Sequence, residues 1–549
     1  MNIQRYALPH ASPLTAAYVE RSDARVARLY GGHPEEPEDW RRRAAALECG
    51  EAPRIAPGEL APVLERYNVR LGASAATRQS IAALGEGAQV VVGGQQAGLW
   101  SGPMMTLHKA VSVIAAARHA SELLGRTVVP VFWIAGEDHD WEEAAHTYVV
   151  DSKPSLTKLH LDRPRGARTS VSRTLIDEGA WRRALRELAE ALPDTEHKPT
   201  LLAQMETAAA SGETLSEVFG ALLLQLFAED GLVVLDADDP ELRRLEAPMF
   251  ARLIARNAEL RQAYADAARR LRELGYAPQV ETEENCAHLF VYADGPGRGA
   301  GERLLLYREA DGYADRKGQL RFEERQLAKL AETEPQRFSN NVLTRPLMQD
   351  YALPVLATVL GPAEIAYWAM VGDAFGLLGM RMPLVVPRAS FTLIDEQERK
   401  LLARYGLTYE DVAQRMDEIK AQWLAQAEGE LPEEAFARAR GRMLDAYEPL
   451  LAELTARWPG LSPIAETNRA KLLEQVAYME QAVGKERERR QETALRQLEL
   501  LRLTLHPAAG PQERVLSAVY YWNRVGVDWL RQLAAQPFRP RGGHSIVYI

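Results

Sequence analysis

Residues Val90 to Ala110 read VVVGGQQAGLWSGPMMTLHKA, and the fold turns on them. The run of valines is β-branched and apolar, so it reads as a buried strand. The chain then turns through Gly93 and Gly94. From Met104 it continues as MMTLHKAVSVIAAARHASELLG, about six turns of helix by length and pattern, ended by Gly125. TVVPVFWIAGEDHDW follows: another apolar run, then glycine, then acids. Strand, glycine-rich turn, helix, strand is a βαβ unit, and it predicts a parallel sheet covered on its faces.

Outward from this unit the same pattern returns. GLVVLDADD (231–239) resumes the sheet, with Asp236, Asp238 and Asp239 at its C-terminal end. LPVLATVLGPAEIAYWAMVGDAFGLLGMRMPLVVPR (353–388) gives strand, Gly-Pro turn, helix and strand. Residues 1–88 read as mostly helical, and one long helix is expected over 240–275. Two stretches interrupt the α/β core of residues 1–395: a polar, proline-bearing insertion at about 151–213, and a small antiparallel insertion at about 277–330. Residues 396–505 show no strand. Leu472, Val476, Met479 and Val483, then Leu498, Leu501 and Leu505, step by four and three, as a coiled-coil seam does. GKERERRQE (484–492) breaks that seam, and Pro432, Pro449, Pro459 and Pro463 interrupt the region, so a hairpin of long helices is expected rather than one rod. Residues 506–549 read as a C-terminal segment packing back on the core.

Composition narrows the function classes. The 549 residues are 46% hydrophobic and 26% charged, ordinary for a globular protein. A net charge of −10 argues against nucleic acid as a general partner. No segment approaches the ~18 uninterrupted apolar residues of a membrane span, and the N-terminus lacks the apolar core of a signal peptide. The two cysteines, Cys49 and Cys286, match no metal or redox spacing. A cytoplasmic protein is expected.

In an open parallel sheet, ligands lie beyond the carboxyl ends of the strands, and four polar clusters fall there. The first is the opening stretch. Its glycines let backbone approach a ligand, and the following helix N-terminus favours an anion. Gln95 and Gln96 add neutral donors and acceptors for a carboxylate or a sugar hydroxyl. Trp100 reads as exposed, while His108 and Lys109 lie farther along the helix and need not reach the ligand. The pattern is neither GxGxxG nor a Walker loop, and a turn that only lets helix and strand pack is the alternative. The second cluster is WIAGEDHDWEEAAH (133–146). His139 suits general acid–base work with a carboxylate orienting it. His139, Glu143 and His146 are four and three apart, on one face if helical, and would then suit zinc or manganese. Acids at a helix N-terminus are also favoured by the macrodipole alone. The third, FSNNVLTRPLMQDY (338–351), gathers Asn340, Asn341, Arg345, Gln349 and Asp350. Arg345 can grip a carboxylate with two bonds; an exposed loop with an internal Arg345–Asp350 pair is the plainer alternative. The fourth, GPAEIAYWAM (361–370), opens a helix with Glu364 and Tyr367. Four clusters at successive strand ends predict one cleft.

The blocks GGQQAGLWSGPMMTLHKA, PVFWIAGEDHDWEEAAH, FSNNVLTRPLMQDYALP, GPAEIAYWA and MPLVVPRASFTL resemble the bacillithiol biosynthesis cysteine-adding enzymes, a family of cysteine ligases. The resemblance runs from the N-terminus through LHPAAGPQERV to the tail. It implies a Rossmann-like core related to class I aminoacyl-tRNA synthetases, two connecting-peptide insertions and a helical coiled coil that forms a homodimer. The implied reaction joins cysteine to the amine of glucosaminyl-malate, giving bacillithiol. The implied cleft is formed by Gly94, Gln95, Gln96, Gly98, Ser101, Gly102, Glu137, Asp138, His139, Asp140, Asn340, Asn341, Arg345 and Glu364. His139, flanked by Asp138 and Asp140, is then the expected proton acceptor, and Arg345 the grip on the malate carboxylates. The family is also associated with ATP or ADP in a second pocket, which no phosphate-binding motif here locates. Carboxylate-adenylating relatives of the fold carry an HxGH box and a KMSKS-like loop; this sequence has neither, and GGQQAG stands where the first is expected. Two other readings compete: a metal-dependent hydrolase or transferase built on His139, Glu143 and His146, and a nucleotide-binding scaffold acting through its coiled coil.

Overall fold

The computed structural model describes residues 1–8, 12–50, 52–166, 168–281, 283–293, 301–426, 433–490 and 492–549. Strand β1 (Asn2–Tyr6) leads; β2 (Gln89–Gln95) and β3 (Val128–Ile134) flank the helix Met105–Leu124. β4 (His146–Val150) and β5 (Leu156–His160) form a hairpin, and β6 (Val233–Asp236) follows. β7 (Cys286–Tyr292), β8 (Arg303–Glu309), β9 (Gly312–Asp315), β10 (Arg321–Phe322) and β11 (Phe338–Asn340) make an antiparallel sheet. Then come β12 (Val355–Leu360), β13 (Leu384–Pro387), β14 (Ala389–Ile394) and, far along the chain, β15 (Gly543–Tyr548).

The central sheet has the order β13-β12-β2-β3-β6 and is parallel throughout. β2 pairs with β3 along its whole length, from Gln89 opposite Val128 to Gln95 opposite Ile134. Its valines are buried, as are all residues of β3, because helices cover both faces of a parallel sheet. The helix between them is buried over most of its surface and ends at Gly125, whose φ of 65° is a left-handed cap.

Two details differ from the sequence expectation. Gly93 and Gly94 do not turn the chain; they lie inside β2, and the turn begins after Gln95. The long helix over 240–275 is two, Pro240–Ala255 and Asn257–Glu273, divided at Arg256. The buried Asn257 side chain donates to Ala287 O at 2.8 Å, a tertiary bond beside the break.

The chain forms two compact units, Met1–Asp395 with Gly510–Ile549, and Glu396–Ala509. In the first, β15 lies between β1, antiparallel, and β14, parallel. Gln512 holds Leu393 through both its amide atoms: Oε1 accepts from Leu393 N and Nε2 donates to Leu393 O, each at 2.8 Å. The second unit is helical. Glu433–Arg457 and Ser462–Arg490 form a hairpin through the short turn Pro459–Leu461. The charged run after Gly484 does not end the helix, which continues to Arg490; Lys485 and Arg489 are exposed on it, and exposed charges are compatible with a helical face. Pro449 lies within a helix and Pro463 in a first turn, where proline is tolerated; Pro432 lies outside the described residues. Leu498, Leu501 and Leu505 are buried, whereas Met479 is exposed. Among the described residues no helix is long and apolar enough to cross a membrane.

Candidate functional site

Beyond β2 the chain goes to β3, and beyond β12 to β13, in opposite directions. A crevice therefore opens between the carboxyl ends of β2 and β12. Its floor is a charged network. Lys109 Nζ donates to Gly94 O at 2.6 Å, to Gln95 Oε1 at 3.0 Å and to Glu364 Oε2 at 2.6 Å. The same Glu364 oxygen accepts from Gly361 N at 2.7 Å, and Glu364 Oε1 lies 4.0 Å from Arg345 Nη2. Arg345 donates to Tyr367 Oη, and at 3.3 Å to Gln349 Oε1. Burial pushes the Lys109 ammonium below its usual value while Glu364 pulls it back. Burial would raise Glu364, but Lys109 and Arg345 outweigh it and hold the carboxyl below its usual range.

Lys109 is the residue the sequence pattern set aside, and the glycines explain how it arrives. A Cβ on Gly93 would stand 2.6 Å from Val113 Cγ2 and 3.3 Å from Lys109 Cγ. The missing side chain leaves room for the lysine stem to run along the strand to its end. A Cβ on Gly94 would meet Trp133 O at 2.8 Å, so this glycine lets β2 and β3 close together.

The ends of β3 and β6 form a second buried network. Glu137 accepts from Arg243 Nη2, and from Asn340 N at 3.2 Å. Arg243 is fully buried and also donates to Glu246 Oε2 at 2.6 Å. Asp238 takes Arg173 through two bonds, at 2.8 and 2.9 Å. Asp236 accepts from Ser172 Oγ at 2.5 Å and from Asp238 N at 2.9 Å. Desolvation pushes Asp236 and Glu246 each up to about 7. Neither Arg243 nor Arg173 carries a signal in the linear sequence that marks it for this place.

The rim is more open. Gln96 Nε2 donates to Asp138 Oδ2, and Asp138 Oδ1 accepts from His139 N at 2.7 Å. The His139 ring is half-exposed; its Nδ1 lies 3.7 Å from Asp138 Oδ1 and 3.4 Å from Arg303 Nη1. Burial, then the Arg303 charge, pushes His139 below its usual value, against Asp138 and Asp140.

The predicted residues thus fall into groups. Gly94, Gln95, Arg345 and Glu364 share the floor with Lys109 and Tyr367. Glu137 and Asn340 stand over the second network; the Asn340 side chain is buried, and its Nδ2 and Oδ1 have no partner among the described residues. Gln96, Asp138 and His139 make the rim. The others are spent locally. Asn341 Oδ1 accepts from Leu343 N and Thr344 N, and Nδ2 meets His288 Nδ1 at 2.9 Å, which shapes a turn. Asp140 caps a single helical turn by accepting from Glu143 N at 3.1 Å. Gly98, Ser101 and Gly102 form a tight turn in which a Cβ on Gly98 would stand 2.6 Å from Gly102 Cα. Trp100, expected exposed, is buried at a left-handed φ of 49°, its ring 5.8 Å from that of Trp181. Asp350 pairs with Arg43 and Arg54, not with Arg345. His139, Glu143 and His146 share no helix: the helical turn covers only Trp141–Ala144, and His146 begins β4. Among the described residues no group of three His, Cys, Asp or Glu is placed to hold a metal ion.

Comparison with known proteins agrees along the whole chain. Residues 1–389 match the family described as bacillithiol biosynthesis BshC, N-terminal Rossmann-like domain. Residues 391–549 match bacillithiol biosynthesis BshC, C-terminal coiled-coil domain. A relative from Bacillus anthracis (strain CDC 684 / NRRL 3495), named "Putative cysteine ligase BshC", is 35% identical over 89% of this chain and 90% of its own length. One of the same name from Geobacillus thermodenitrificans (strain NG80-2) is 37% identical over 100% of both.

Proposed function

We propose, from the premise that this chain belongs to the bacillithiol biosynthesis BshC family, that it is a ligase joining L-cysteine to the amine of glucosaminyl-malate. The observation that carries this reading is the crevice between β2 and β12, where the buried Lys109 and the partly buried Arg345 and Glu364 form a site with one more positive than negative charge. Such a floor suits a substrate carboxylate. The sugar amine attacks the activated cysteine carboxyl carbon; the C–N bond forms, the activating group leaves, and the amine proton passes to His139. Asp138 orients the ring, and Arg345 holds a carboxylate.

An adenine nucleotide in a second pocket belongs to the same proposal. One cavity of about 180 Å³ is lined by Arg388, Arg514, Arg541 and His544 together with Glu513, which pairs with Arg388, and with Thr15, Ser390 and apolar residues. That is below the roughly 300 Å³ at which small-molecule sites begin, so it suits part of a nucleotide, and no step here passes through one. The homodimer expected of the helical unit is supported by the exposure of Trp458, Ile464, Tyr478 and Met479. Cys49 and Cys286 are free, which fits a reducing cytoplasm.

The test is reconstitution. Purified protein is incubated with cysteine, glucosaminyl-malate and ATP, each omitted in turn, and bacillithiol is followed by mass spectrometry. Product that requires both substrates is the expected result, and the tube without ATP reports how the carboxyl is activated. Hydrolysis of glucosaminyl-malate in place of ligation would overturn the reading.

A further inference from the structure

Arg303 leaves β8 at the rim of the cleft, with its guanidinium carbon 3.7 Å from the centre of the Phe290 ring. Nε donates to Ser339 Oγ at 2.8 Å and Nη2 to Asn340 O at 2.7 Å. Both acceptors are neutral, and Arg303 forms no ion pair among the described residues. Its remaining donor, Nη1, faces His139 Nδ1 at 3.4 Å. A guanidinium cannot accept a hydrogen bond, so the ring nitrogen is the acceptor and the ring proton belongs on Nε2. In this arrangement His139 offers a donor to the cleft and no base. The other charged groups that act on the ring are Asp138, Asp140 and Arg168.

This end of the cleft therefore presents a partly buried guanidinium held, among the described residues, by neutral partners. A carboxylate adds ion pairing to the hydrogen bonds of a guanidinium and can accept two of them side by side, which a neutral oxygen does not. Arg345 differs: its donors go to Tyr367 and Gln349, and Glu364 already stands beside it.

We propose, on the ligase reading, that Arg303 is the receptor for the carboxylates of the sugar-amine acceptor, and that their arrival draws Nη1 away from His139. Nδ1 then takes a proton from solvent and donates it to Asp138 Oδ1, now 3.7 Å away, while Nε2 gives its own proton to solvent, so the ring stays neutral and Nε2 is left as the acceptor. His139 becomes a base only when the acceptor is in place. The malate arm thus lies at Arg303 and not at Arg345, which leaves the free donors of Arg345 to the carboxyl of the amino acid, with the charge of Lys109 behind them.

The test measures binding and chemistry separately. Glucosaminyl-malate and methyl glucosaminide, which lacks the acid arm, are titrated by calorimetry into the wild type, Arg303→Gln and Arg303→Lys. Arg303→Gln should bind glucosaminyl-malate about 10- to 100-fold more weakly, Arg303→Lys should fall between, and methyl glucosaminide should bind all three alike. Equal glucosaminyl-malate affinity in the wild type and Arg303→Gln overturns the proposal, as does equal weakening of both ligands. If Arg303→Gln does not fold, the same comparison is made with Arg303→Lys. In the pH profile of kcat/KM, Arg303→Gln should move the acid limb upward, because His139 loses a neighbouring positive charge; an unmoved limb sinks the link to His139. Bacillithiol formation with Arg303-independent binding defeats only this proposal. Arg303-dependent binding without bacillithiol defeats only the ligase reading.

Discussion

The two ends of the cleft are made of opposite materials. At the floor, Lys109, Glu364, Arg345 and Tyr367 bond to one another and to backbone, and all three donors of Lys109 are taken. At the rim, His139 is half-exposed and Arg303 spends its donors on neutral oxygens. A closed buried network holds a shape, and removing one member strands the charge of its partners. A half-exposed pair contributes little to stability and keeps its bonding capacity for a substrate.

That contrast can be broken experimentally. Glu364→Ala leaves the buried Lys109 ammonium without its counter-charge, and urea denaturation should show a loss of about 3–5 kcal/mol, together with loss of product. A loss below ~1 kcal/mol would mean that the floor is solvated like a surface. His139→Ala should do the reverse. Product formation falls by about 10²- to 10⁴-fold, while stability stays within ~0.5 kcal/mol of the wild type. Full activity in this variant would remove His139 as the base. An effect confined to one pH window is expected at the end of β6, at Asp236. Desolvation raises its carboxyl to about 7 from an ordinary 3.8. Between those values the folded protein keeps a proton that the unfolded chain has released, so stability falls as pH rises through that window. Asp236→Asn should remove up to ~1.4 kcal/mol per pH unit of that slope, measured as denaturation midpoints from pH 4 to 7. Glu246, raised likewise, keeps a slope of its own. An unchanged slope would show that Asp236 is ionised in the fold.

The sheet was legible because a parallel strand buried on both faces is an uninterrupted apolar run, and VVV, VVPVFWI and VLATVL are such runs. The clusters after β2, β3 and β12 were legible because polar residues follow those runs at once. Lys109 was not. It lies fourteen residues beyond Gln95, and it reaches the strand end only because Gly93 has no side chain. The linear sequence shows a glycine and a lysine; their complementarity exists only after the helix packs on the strand. Arg243 and Arg303 were illegible for a related reason: they enter from elements with no polar cluster of their own, and only tertiary packing brings them to the cleft. Trp100 misled because a large aromatic beside glycines resembles a ligand platform, yet here it fills a buried gap beside Trp181.

The position of β15 carries a further consequence for how the molecule is made. A strand at residues 543–548 sits between one at residues 2–6 and one at 389–394. On the ribosome, the first two elements of that sheet must wait unpaired while the whole helical excursion is translated. Contacts of such sequence separation form late and slowly. Until then β14 offers an open edge, the kind of surface on which nascent chains aggregate. The amide clasp of Gln512 on Leu393 closes the neck of the excursion some thirty residues before β15 emerges. It can bring the returning chain to the waiting strand, as the first stitch of a seam that the last strand completes.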